Sequence, residues 1–240
     1  MKVTRVLFIH HSTGGLLLHL GRLRARLGRL APNVELWDHG YNLFPSHLKS
    51  QILGSLWLTF HTGLSDVRGR MTGRDFNLVI SNDSPKEYAE IFSRPSDDPT
   101  LKAILEFDIV AFKNCFPTTR IESDAKLAEH MRYYSQIIQS LHKYQNQFII
   151  FTPPPLRREA TKPVWAGRAR ELATWLEQQQ SANVRVFNFF DALADSTDPN
   201  ANMLRRSYCN PLPRDSHPNI RANRIAAQAF AEYLSHITNA

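Results

Sequence analysis

The sequence predicts an α/β fold: a three-layer α/β/α domain around a parallel sheet. Short runs of Val, Ile, Leu and Phe recur along the chain, each followed by a polar turn and then by apolar residues at helical spacing. The runs are apolar at nearly every position, as in strands buried on both faces. The links are short, as strand–helix–strand units require. At 42% apolar and 21% charged over 240 residues the chain has a globular composition, which excludes disorder over its whole length. No run of 18 apolar residues predicts a spanning helix. The two cysteines, Cys115 and Cys209, do not form a disulfide framework or a metal knuckle.

Met1 to Ile9 (MKVTRVLFI) reads as the first strand, too short for a secretory signal. The expectation is a cytoplasmic protein, or one whose export signal lies outside this chain. His10-His11-Ser12-Thr13-Gly14-Gly15 makes a polar turn. Leu16, Leu20, Leu23, Leu27 and Leu30 then mark one face of a helix that Pro32 ends. Val34 to Trp37 is the second strand, followed by Asp38-His39-Gly40. The stretch 43–104 predicts a helix around 46–59, a Gly- and Arg-containing segment at 63–74, a strand at Asn77 to Ile80 and a polar loop at 93–100. Phe107 to Phe112 is a strand ending in Lys113-Asn114-Cys115, before a helix near 124–144. Phe148 to Phe151, a helix at 163–180 and a strand at Val184 to Phe189 continue the alternation. Asp215-Ser216-His217-Pro218 precedes a last helix near 219–237. The whole chain, 1–240, is expected to form one domain, with 43–104 as a candidate lid or specificity insertion.

Lys and Arg number 29 against 22 acids, a net charge of +7. The surplus is confined to the two ends of the chain. Residues 1–50 hold seven basic residues against two acids, and residues 201–240 hold five against two. With no Lys-rich run and no aromatics interleaved among the basic residues, no nucleic-acid partner is expected.

Four places put polar residues directly after a buried strand or at a helix start: Ser12, Gly40, Asn114 and the Asp215/His217 pair. In a parallel sheet such positions lie on the edge where α/β proteins build their sites. A serine becomes a nucleophile beside a base, and near the end of the chain His217 is the base candidate beside an acid. An oxyanion needs preorganised donors; the Ser12 N–H, the Gly40 N–H and the Asn114 amide are candidates. The bland alternatives are helix caps for Ser12 and Asp215, and turn roles for Gly40 and Asn114.

This order of strand–Ser–helix, then Gly, then Asn, then Asp and His-Pro before a final helix resembles the SGNH (GDSL-like) hydrolases over nearly the whole chain. The resemblance implies a flavodoxin-like sheet and a serine esterase or acylhydrolase acting without a cofactor. It implies Ser12 as nucleophile, His217 as base and Asp215 as the acid that orients it, with Gly40 and Asn114 completing the oxyanion hole. His11, Lys113 and Arg214 are expected to line the site. Lys113, Arg205, Arg206 and Arg214 would bias its mouth toward anionic substrates. The substrate class is a small-molecule, carbohydrate or lipid ester. Trp57, Phe60 and Phe76 are candidates for an apolar lining, with core packing as the alternative.

The motifs depart from the family pattern. Its Gly-Asp-Ser is here His10-His11-Ser12, and its Gly-x-Asn-Asp is Phe112-Lys113-Asn114-Cys115. Its Asp stands three residues before His, a place held here by Arg214, while Asp215 stands two before. On a helix that separates the two side chains by about 200°, so Asp215 reaches the imidazole only from a non-helical turn; Asp191 is the alternative acid. Two further functions compete: a non-catalytic carbohydrate- or ligand-binding module on the same fold, and a metal-dependent hydrolase using His10 and His11. Adjacent residues of a strand point to opposite faces, which argues against a metal on that pair.

Overall fold

The computed structural model describes residues 3–41, 62–197, 199–212 and 214–239. The strands are β1 (Thr4–His10), β2 (Val34–Gly40), β3 (Gly63–Ser65), β4 (Ile109–Phe112), β5 (Gln147–Phe151) and β6 (Val184–Phe187). They form one sheet in the order β3-β2-β1-β4-β5-β6. Five strands are parallel, and without β3 their order is that of a flavodoxin-like sheet.

The expected parallel sheet is present, and one short strand is added at its edge, where β3 runs antiparallel to β2. Its outer side is not left open. Leu64 N–H donates to the Arg74 carbonyl at 2.9 Å and Thr72 N–H to the Leu64 carbonyl at 2.9 Å, so the chain folds back over its own edge. The strand expected at 77–80 is corrected. Leu78 and Ile80 are buried but lie outside the sheet, and Asn77 has a φ of 55°, which breaks extended backbone. The helix expected around 46–59 lies outside the described residues, as do Trp57 and Phe60. Phe76 is a core residue stacked on His39, with ring centroids 4.7 Å apart.

The eight helices among the described residues are α1 (Thr13–His19), α2 (Leu23–Leu30), α3 (Lys86–Phe92), α4 (Pro99–Leu105), α5 (Asp124–Leu141), α6 (Pro163–Glu177), α7 (Phe189–Leu193) and α8 (Ile220–Asn239). None is long and apolar enough to cross a membrane. The single helix expected over Leu16 to Leu30 is two, broken at Gly21 and Arg22. A Cβ on Gly21 would stand 2.6 Å from the Ala227 Cβ and 2.7 Å from the Asn223 carbonyl of α8, so only glycine fits this close approach. Arg22 follows in the left-handed region at φ 56° and redirects the chain.

Strand alternation divides the core in two. Val6 and Phe8 of β1, with Ala111, Ile149, Phe151 and Phe187, pack against α1, α2 and α8. Leu7 and Ile9, with Val110, Phe112, Phe148 and Ile150, pack against α3 to α6. The three layers follow from strands that are apolar on both sides. Strand order reverses between β1 and β4, because the chain moves from β1 outward to β2 and later returns to β1's other side. A crevice outside the carboxyl ends of the strands forms at such a switch point. Ser12 follows β1 and Asn114 follows β4.

Candidate active site

Ser12 caps α1 with φ 44° and ψ −99°, a conformation strained for any residue with a side chain. The turn is compact because Gly14 allows it: a Cβ there would stand 2.4 Å from the His10 Cβ. Ser12 is only 4% exposed, and its Oγ is hydrogen-bonded to His217 Nε2. These residues are 205 apart in sequence.

Asp215 reaches His217 by the non-helical route, since α8 begins only at Ile220. One carboxylate oxygen, Oδ1, accepts both the His217 backbone N–H at 3.0 Å and the ring Nδ1 at 2.5 Å. The two-residue spacing is that of an Asx turn, in which a side chain bonds the backbone two residues on. Asn210 Nδ2 secures the turn from outside, donating to Asp215 Oδ2 at 2.7 Å and to the His217 carbonyl at 2.8 Å. Arg157 braces the same loop from below, with its N–H on Ser216 Oγ at 3.1 Å and its guanidinium on the Leu212 carbonyl at 2.6 Å. Burial pushes the Asp215 carboxyl up, but its bonds from His217 and Asn210 outweigh this and hold it below the usual carboxylate range. Phe116 packs edge-on against the His217 ring, with centroids 4.9 Å apart. The alternative acid, Asp191, is engaged elsewhere, by Arg170 and Asn188.

Asn114 is 1% exposed and held at both ends of its amide. Nδ2 donates to the Ser84 carbonyl at 2.9 Å, and Oδ1 accepts from Tyr134 at 3.0 Å. A primary amide has two N–H groups; the second makes no bond among the described residues. Gly40 is placed differently from its expected oxyanion role. Tyr41 N–H donates to the His10 carbonyl at 2.9 Å. By strand alternation the Gly40 N–H is directed to the opposite edge, toward its pairing partner Gly63 in β3.

Lys113 is the clearest correction. It was expected at the mouth of the site, but it is 1% exposed. As Asn114 turns one way, Lys113 turns the other, beneath α1, where Nζ donates to Thr13 Oγ1 at 2.6 Å. Burial lowers its pKa from 10.5 to about 8. Arg205 is also drawn off the rim, stacking on Tyr208 at 4.9 Å and donating to its hydroxyl at 3.3 Å. Arg214 is exposed at the tip of the turn with φ 62°. Arg206 lines an open groove with Arg157, Arg158, Glu159 and Asn210, and Asn210 is the residue that secures the Asp215 turn.

The Lys113 burial has a measurable cost. Between pH 8 and 10.5 the unfolded chain binds the proton that the folded chain has lost, so this group's penalty is full below 8 and is relieved as pH rises toward 10.5. Lys113→Met should therefore raise stability at pH 7 by about 2 kcal/mol, allowing for the lost bond to Thr13. Its advantage should shrink steadily above pH 8. Urea unfolding of both proteins at neutral and alkaline pH reads this directly; a variant less stable than the parent at every pH refutes it.

His10 and His11 diverge, as adjacent strand residues do. His10 Nε2 lies 3.0 Å from Asp38 Oδ2, and Asp38 is also bound by Arg24. His11 stacks on Tyr41 with centroids 5.2 Å apart, and burial lowers its pKa to about 3. Sequence reasoning missed Asn210, Arg157, Ser84 and Tyr134, the residues that hold the site's side chains in place. Arg157, Ser84 and Tyr134 are distant in the chain from what they hold, and none of the four interrupts a local pattern that would single it out.

No protein-family model matches the sequence, and no curated protein matches it. Solved structures do match. An acetyl esterase mutant with an acetate ion superposes with a TM-score of 0.54 at 12% identity, covering 99% of each chain. A carbohydrate esterase family 3 protein from Talaromyces cellulolyticus gives 0.52 at 13% identity, again over 99% of each chain. A GDSL-like lipase from Bacteroides thetaiotaomicron gives 0.53 at 10% identity, over 98% of this chain and 89% of that one. At these identities the likeness is one of fold.

Proposed function

We propose that this chain, which folds over its full length as SGNH/GDSL-like esterases and acylhydrolases do, is a serine hydrolase of carboxylic esters. The observation that carries this is the Ser12–His217–Asp215 chain of hydrogen bonds at the sheet's switch point.

His217 Nε2 takes the Ser12 proton as Oγ attacks the ester carbonyl. Asp215, bonded to Nδ1, fixes the tautomer that leaves Nε2 able to accept, and it stabilises the imidazolium that forms. The oxyanion of the tetrahedral intermediate is met by the second Asn114 N–H and by the Ser12 N–H, which has no acceptor among the described residues. His217 then protonates the leaving alcohol, and a water molecule activated by the same base releases the acid. The groove beside the Asp215 turn carries Arg158 and Arg206, with Arg157 paired to Glu159, which favours esters that also bear an acidic group.

Ser12 should be labelled by a fluorophosphonate probe, with no label on Ser12→Ala and little on His217→Ala. A folded protein that stays unlabelled overturns the hydrolase and favours the alternative, a non-catalytic ligand-binding module on the same fold.

A further inference from the structure

Part of the charge surplus at the two ends of the sequence meets in the fold, Arg22, Arg26 and Arg29 from one end and Arg224 from the other. α2 and α8 pack side by side, with Gly21 pressed against Asn223 and Ala227 of α8. The groove between the helices is lined by Arg22, Ala25, Arg26, Arg29 and Arg224, with no acid among its walls. Arg26 is tied down, donating to the Gly21 carbonyl at 2.9 Å and to Gln228. Arg22, Arg29 and Arg224 form no ion pair among the described residues, and all three are exposed.

A second feature lies on and beside these helices: Leu30 is on α2, Ile220 and Ile225 are on α8, and Leu20 ends α1 just before Gly21. Leu20, Leu30, Ile220 and Ile225 are 36%, 38%, 50% and 40% exposed. Leu20 lies two residues before Arg22, and Ile225 directly follows Arg224. On a face that only had to meet water these four apolar side chains gain nothing.

We infer that the α2–α8 face docks on an anionic lipid surface. Guanidinium groups pair with headgroup phosphates bidentately. Leucine and isoleucine beside them enter the boundary between headgroups and acyl chains, as on other interfacial helices. A nucleic acid would satisfy the arginines but leave the four apolar side chains wet, with no aromatic ring to stack a base. Neither Ser12 nor His217 lines the arginine groove, so the inference does not depend on catalysis.

The test is co-sedimentation with vesicles of phosphatidylcholine containing phosphatidylglycerol, against vesicles of phosphatidylcholine alone. Binding should need the anionic lipid and weaken as salt rises. The triple variant Arg22→Gln, Arg29→Gln, Arg224→Gln should bind about 100-fold more weakly, at roughly a fivefold loss for each arginine. Leu20→Ser with Ile225→Ser should weaken binding about tenfold and leave the salt dependence in place. All these positions are exposed, so the variants keep the parent's urea midpoint and Ser12 labelling. No preference for anionic vesicles, or a triple variant that binds like the parent, overturns the inference. So does tight binding to a DNA duplex that the Leu20/Ile225 pair does not affect, if vesicles are not bound.

Discussion

Asp215→Asn should lower kcat for a chromogenic ester by about 10³–10⁴ and leave KM nearly unchanged. The size of the effect follows from what one atom does. Oδ1 accepts the His217 backbone N–H and the ring Nδ1 together, and Oδ2 accepts from Asn210. An asparagine with its oxygen toward His217 keeps the turn but faces Asn210 with a second N–H donor. Turned the other way, it satisfies Asn210 but sets an N–H against the imidazole and favours the tautomer with the proton on Nε2. That tautomer cannot take the Ser12 proton. In either orientation the negative charge that stabilises the imidazolium is gone. Asp191→Asn is the control, since Asp191 serves Arg170 and Asn188, and its kcat should match the parent's. Asp215→Asn with parental kcat would remove Asp215 from the mechanism, whatever the geometry.

That pairing shows what the sequence could and could not carry. The meeting of Ser12 and His217 was legible because each sits at a change of local pattern, strand to turn or turn to helix, and a parallel sheet gathers such changes on one edge. The two-residue Asp–His spacing looked like a defect only on the assumption of a helix; as an Asx turn it brings both donors to one oxygen. Lys113 was misplaced because nearness in sequence was read as nearness in space. It follows a strand, where neighbours face opposite ways, so Asn114 and Lys113 cannot both look into the crevice. Gly40 was misread for a related reason: whether its N–H is free depends on β3, three residues long and with no periodicity to reveal it. The break at Gly21 was hidden because leucines at helical spacing continue across it, and its cause lies in α8, some 200 residues on. The seven-residue helices α3 and α4 have too few turns for a spacing pattern to emerge.

Asn114→Ala should lower kcat by about 10²–10³, the usual loss for one oxyanion donor. The amide's orientation is settled by its neighbours. The Ser84 carbonyl can only accept, so the atom facing it is Nδ2. Burial pushes the Tyr134 hydroxyl's pKa up, so it stays protonated and donates to Oδ1. With both ends of the amide fixed, the second N–H has one direction open to it and needs no reorganisation when charge develops on the substrate. The substitution also leaves the Ser84 carbonyl and the Tyr134 hydroxyl without their partner, at about 1–3 kcal/mol of stability. Urea unfolding must therefore accompany the kinetics. Tyr134→Phe separates the two effects: it loses the bond that steadies the amide but keeps the donor, so kcat should fall far less than in Asn114→Ala while stability falls comparably. Equal kcat losses in the two variants would mean that Asn114 matters only for packing. The oxyanion would then rest on the backbone N–H of Ser12 alone.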